Sequence, residues 1–280
     1  MTVQAAAPVL ENPREDYQDI LHRVFSNILA HQNFPLQARL FSVAGFAFEA
    51  DAFVYPESPD FSEERLAHEV DKAVEQVHER LWMEQFHNQS VNPELGMSII
   101  QSLLLGRVQH CAPEFKELIM QAWRQYSPEE SQTGGRFLHL DFAGEVTHVR
   151  CTEMSRIYQY GRNRLMNRFA EEIEAEIADF CIRMVAKHDN REPGVTLLSS
   201  VQQLILRVMC LKFFLAADPE LQAFLDCEAS DNMVRRRISE ITEQVETHLD
   251  QEQDVLAKLG SMLYEQGLQD LPHTILLILF

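Results

Sequence analysis

Apolar and polar positions follow the period of a helix along most of this chain. After a polar lead ending at Pro13, Tyr17, Ile20, Leu21, Val24, Ile28 and Leu29 fall on one face, with acidic residues in the first turn. Residues 1–14 read as a flexible lead, and a helix is expected from about residue 15. A second apolar stretch, "LQARLFSVAGFAFEADAFVY", stops at Pro56. Behind Ser62, with Glu63 and Glu64 in the first turn, Leu66, Val70, Ala73, Val74, Val77 and Leu81 make another helical stripe. Shorter helices are expected over Pro93–His110 and Pro113–Tyr126, each with proline near its start.

The clearest loop is "SPEESQTGG", so 127–135 is a possible boundary inside what otherwise reads as one helical domain, 15–280. Beyond it the period changes. Phe137–Phe142 and Val146–Cys151 flank "AGE", which predicts a small β-hairpin near 136–151. Helical logic resumes from Thr152 to His188, with Leu165, Phe169, Ile173, Ile177, Phe180 and Met184 aligned. The next segment, "VTLLSSVQQLILRVMCLKFFLAAD", is apolar nearly all round, as a helix central to a core would be. Arg207 and Lys212 interrupt it too early for a membrane span. The pattern as a whole predicts a mainly α, multi-helix domain with one hairpin.

The last ten residues, "LPHTILLILF", hold an apolar run that most chain ends lack. It is far shorter than the roughly 20 residues a bilayer requires. Exposed, it would be an aggregation-prone patch. It is therefore expected to turn back after "GLQD" and pack against the chain's own core, the alternative being a homodimer or partner groove.

Charge narrows the function classes. A net charge of -19 over 280 residues repels phosphate backbones and anionic lipid, so nucleic acid is not an expected partner. Five cysteines with no C-x-x-C pair suit a reducing compartment. The first residues lack the basic and apolar regions of a signal peptide, so a cytoplasmic location is expected.

Candidate chemistry is sparse. Glu-x-x-His, which on a helix aims a carboxylate and an imidazole at one point, occurs at Glu75–His78, Glu84–His87 and Glu145–His148. Glu75 points to solvent on its helical wheel, and Glu145–His148 lies on the predicted strand, where such spacing faces opposite sides. Glu84 and His87 remain as candidate ligands of iron or manganese in a helical-bundle oxidase. His139, Asp141 and His148 across the hairpin have the ligand types of a two-His-one-carboxylate iron site. The plainer reading in each case is an exposed or internally satisfied polar group. No phosphate-cradling loop, nucleophile elbow or H-E-x-x-H motif is present.

Arginines cluster instead. Arg156, Arg162, Arg164 and Arg168 crowd one helix, and "MVRRRISE" adds Arg235, Arg236 and Arg237. Such groups could receive an acidic partner or an anion, or pair internally with Glu171, Glu172, Glu174 and Glu240.

Two stretches, "ARLFSVAGFAFEADAF" and "MCLKFFLAADPE", resemble parts of the helical domain of Ras GTPase-activating proteins. That resemblance implies regulation of a small GTPase. It departs from the family where activity resides: Ser42 follows Phe41 in place of the finger arginine, and Lys212 replaces a structural arginine. A non-catalytic, protein-binding or regulatory helical protein is the expectation, with an unidentified protein or a second copy of the chain as its partner; a metal-dependent oxidase is the alternative and small-GTPase regulation a minor one.

Overall fold

The computed structural model describes residues 15–51, 64–65, 68, 93–105, 112–126, 145–187, 196–227, 229–251 and 270–280. Within them the chain is helical, and the helices run α1 (Glu15–Leu29), α2 (Leu36–Asp51), α3 (Pro93–Leu105), α4 (Pro113–Tyr126), α5 (Glu145–Lys187), α6 (Leu197–Ala217), α7 (Pro219–Phe224), α8 (Asp231–Gln251) and α9 (Leu271–Leu279). The mainly α, multi-helix class is as expected. Residues 1–14, the loop at 127–135 and the proposed strand Phe137–Phe142 lie outside the described residues.

The second proposed strand is a correction. Val146–Cys151 forms the first turns of α5, which begins at Glu145 and not at Thr152. Its alternation of Val, Thr and His is too short to tell strand from helix, and it adjoins a strongly helical segment. Extending an existing helix adds one hydrogen bond for each residue fixed, whereas a new hairpin needs its own nucleus.

α6 is the axis. It packs against α2, α4, α5, α7, α8 and α9, which is why it can be apolar on every face. By length and hydropathy alone it would pass for a membrane span, yet 83% of that window is buried by other parts of the chain. Its two cations behave differently. Arg207 is fully enclosed and donates to Met184 Sδ at 3.6 Å, while Lys212 reaches a cleft described below.

Capping explains how the helices join. Asp51 at the end of α2 accepts the backbone N–H groups of Leu197 and Leu198, at 2.7 and 3.0 Å, so a carboxylate seats the N-terminus of α6. Thr196 accepts from Ser199 N–H at the same end. Asp218 caps α7 by accepting from Leu221 N–H at 2.8 Å and also takes both arms of the Arg237 guanidinium from α8.

The C-terminal run forms α9, and it packs on its own core. Asp270 caps it, and Ile275, Leu277, Ile278 and Phe280 are buried against α2 and α6. Thr274 Oγ1 accepts from Gln202 Nε2 of α6 at 2.7 Å inside this contact. The Phe280 ring stacks on Tyr158 of α5, with centroids 4.8 Å apart, and lies directly over Gly96 of α3. That close approach needs glycine: a Cβ at position 96 would fall 1.9 Å from a ring carbon. Tyr158 also meets Tyr126 edge-on, and Tyr126 O–H donates to the Phe213 carbonyl at 2.7 Å, so aromatic contacts link α4, α5, α6 and the chain end.

Candidate ligand cleft between α5 and α6

The arginines singled out by sequence do not share one patch. Arg164 pairs with Asp226 at 2.8 Å. Arg168 donates to the carbonyls of Leu225 and Cys227 just past α7. Arg235 lies 3.6 Å from Glu172, Arg236 pairs with Glu240 one turn on, and Arg237 is held by Asp218, Glu220 and Glu240. Two remain without a hydrogen bond or ion pair to another described residue. Arg156 is exposed on α5; Arg162, partly buried, faces a cleft.

That cleft lies where α5 departs from helical geometry. Phe169 has φ -126° and ψ 28°, and the helix kinks there without proline or glycine. Leu165 and Met166 before the kink and Ile173 and Ile177 after it line the cleft, and Phe169 itself does not. Pro35, Leu36 and Gln37 at the start of α2 form a second wall; Lys212, Leu215 and Ala216 of α6 form the floor. The enclosed volume is about 100 Å³, open to solvent on one side.

Its charges are unbalanced. Glu174 is the one carboxylate in the lining, and it is already engaged: it accepts from Leu36 N–H at 2.9 Å and lies 3.6 Å from the buried Arg39 guanidinium. Arg39 itself donates to the Leu29 carbonyl, so this group ties α1, α2 and α5 together. Lys212 has no carboxylate at ion-pair distance among the described residues. Its amine donates a long hydrogen bond, 3.3 Å, to the Ile278 carbonyl in the last turn of α9. Burial, and then the neighbouring Arg162 guanidinium, push the Lys212 amine down from 10.5 to about 7, against a smaller opposing pull from Cys181 and Glu174. A mainly apolar cavity is thus lined by an arginine and a lysine that have no carboxylate at ion-pair distance among the described residues.

The sequence points to Arg162 through its cluster, but offers Lys212 only as an interruption of an apolar helix and as the residue in place of a structural arginine. The available signal was that a lone lysine in a helix apolar on all sides must reach a partner, a cavity or solvent.

Glu84, His87, Glu75, His78, His139 and Asp141 lie outside the described residues. His148 is not on a strand of a hairpin; it lies on α5, as does Glu145. Among the described residues no group of three or more His, Cys, Asp or Glu side chains converges as metal ligands would. Ser42 is buried within α2 and donates to the Ala38 carbonyl one turn back. Comparison with family profiles, with curated proteins and with solved structures finds no match.

Proposed function

We propose that this is a non-catalytic regulatory protein whose ligand is a small apolar carboxylate held in the α5–α6 cleft. The observation that carries the reading is the pair Arg162 and Lys212, with no carboxylate at ion-pair distance among the described residues, in a mainly apolar cavity whose one carboxylate, Glu174, is engaged by Arg39. A carboxylate fits a guanidinium fork and balances the charge. The volume suits a branched or ring-shaped apolar group of roughly four or five carbons, since an apolar cavity of about 150 Å³ accepts benzene.

The test compares isocaproate with isohexyl alcohol, which shares its carbon skeleton but lacks the charge. At saturating ligand the carboxylate raises Tm by about 2–4 °C and the alcohol does not. Equal shifts for both, or none for either, contradict the proposal.

A protein partner is a second reading, favoured by the N-terminal half of α5. Tyr160 is 67% exposed there, and Arg156 stands one turn before it without a partner among the described residues. Arg156→Glu with Tyr160→Ala tests that surface without touching the fold. Changing Arg235, Arg236 and Arg237 together is a poor probe, because Arg237 anchors the α7 cap.

A further inference from the structure

We propose that Lys212 captures the ligand covalently, as an imine, so that the carboxylates this cleft takes are small apolar α-oxo acids. This rests on the cleft being a carboxylate site and adds what the amine does there.

Three features of the geometry point to it. First, Lys212 lines the cavity and has no carboxylate at ion-pair distance among the described residues; the amine's one hydrogen bond is a long one, to the Ile278 carbonyl of α9 outside the lining, which it must give up to turn into the cleft. A lysine serving only as a structural cation would be expected beside a carboxylate. Second, Arg162 lines the same small space and is likewise without a partner among the described residues, so a carboxylate held by Arg162 brings an adjacent carbonyl carbon towards the amine. Third, apart from Gln37 and the engaged Glu174 the remaining lining is apolar, with Leu165, Met166, Ile173 and Leu215 placed to receive an alkyl group and shield the carbon–nitrogen bond from bulk water.

Protonation state agrees with this arrangement. With the amine brought down to about 7, a large share is unprotonated at neutral pH and nucleophilic without a separate base. The charged groups facing it are Arg162 and Glu174 on α5, the latter tied to Arg39 of α2. Burial pushes the α5 thiol Cys181 up to about 12, and α9 offers the Ile278 carbonyl.

The step balances without an oxidant or reductant. The amine lone pair attacks the carbonyl carbon, and the carbonyl oxygen takes a proton to give a carbinolamine. That oxygen then leaves as water with the second amine hydrogen, and a carbon–nitrogen double bond remains. Water at the open side of the cleft can carry both protons. The reverse reaction releases the ligand unchanged, as a reversible sensor requires.

The test treats the full chain with α-ketoisocaproate and sodium cyanoborohydride, which fixes an imine as a secondary amine, and maps the modified peptides by mass spectrometry. Lys212 should be labelled several-fold faster at pH 7 than the exposed Lys116 and Lys187, and excess isocaproate should suppress its labelling selectively. Lys212→Met, shown to be folded by circular dichroism, should lose the fast label. Labelling of Lys212 no faster than of the surface lysines overturns the imine. If isocaproate still raises Tm in that case, the carboxylate cleft stands and only covalent capture fails; if it does not, both fail.

Discussion

At the scale of single residues, Lys212 makes a pH-dependent prediction that does not depend on any ligand. Its amine lies near 7 in the folded chain and near 10.5 when unfolded, so between those values the unfolded state binds more protons here. Stability from this group therefore rises with pH across that window, and below about 7 the full cost of a buried charge is present. Lys212→Met should unfold at higher urea than the parent at pH 6.5, by roughly 1–3 kcal/mol, with the gap closing towards pH 10. A gap that is constant or reversed contradicts the assignment. Asp218 is the opposite kind of residue, a buried carboxylate fully engaged by the Leu221 N–H and Arg237. Asp218→Ala should cost about 2 kcal/mol, because it uncaps α7 and removes the closest of the three carboxylates around Arg237, leaving Glu220 and Glu240. Arg237→Ala should cost less, since Asp218 keeps its backbone donor, and urea titrations of both variants measure the difference. These roles were only partly legible in sequence. Asp before Pro219 reads as a helix cap, but which of three adjacent arginines turns inwards is fixed by how α8 packs.

At the scale of elements, the helical period predicted most of what is seen. The amphipathic face of α1 and the all-apolar α6 follow from spacing alone, and the chain end packs inwards as its exposure cost required. Two features escaped. Val146–Cys151 alternates like a strand over six positions, and only its continuity with Met154 and Tyr158, both buried on α5, resolves it as helix. The kink at Phe169 leaves no mark in sequence, because neither proline nor glycine marks it. The cleft also leaves no mark, because Leu165, Ile173 and Ile177 read from their spacing as inner-face residues whether or not a cavity lies beside them. The docking of α9 makes its own prediction. Gly96→Ala should destabilise the protein by about 1–3 kcal/mol by pushing on the Phe280 ring, and should be nearly neutral when Phe280→Ala is already present. A full cost in both backgrounds would mean that the Phe280 contact is not what position 96 protects.

At the scale of the molecule, a chain of net charge -19 holds two cations facing one apolar cavity. The acidic surface would repel anions at long range, though that effect is screened beyond a Debye length of about 8 Å at physiological salt. Recognition is thus local, between α5 and α6, and the Lys212 hydrogen bond to Ile278 places α9 within reach of whatever occupies the cleft. A ligand that draws the amine away from that carbonyl removes one contact from the last turn of α9. This is the direct route by which binding could alter the surface around the chain end.

The measurement that bears most directly on this account is calorimetric titration of isocaproate into the parent protein and into Arg162→Gln. The account predicts one site in the parent with Kd on the order of a millimolar or tighter, weakened at least tenfold by the substitution while Tm without ligand hardly changes. No binding to the parent, or equal binding to both proteins, would contradict the claim that Arg162 and Lys212 form a carboxylate site.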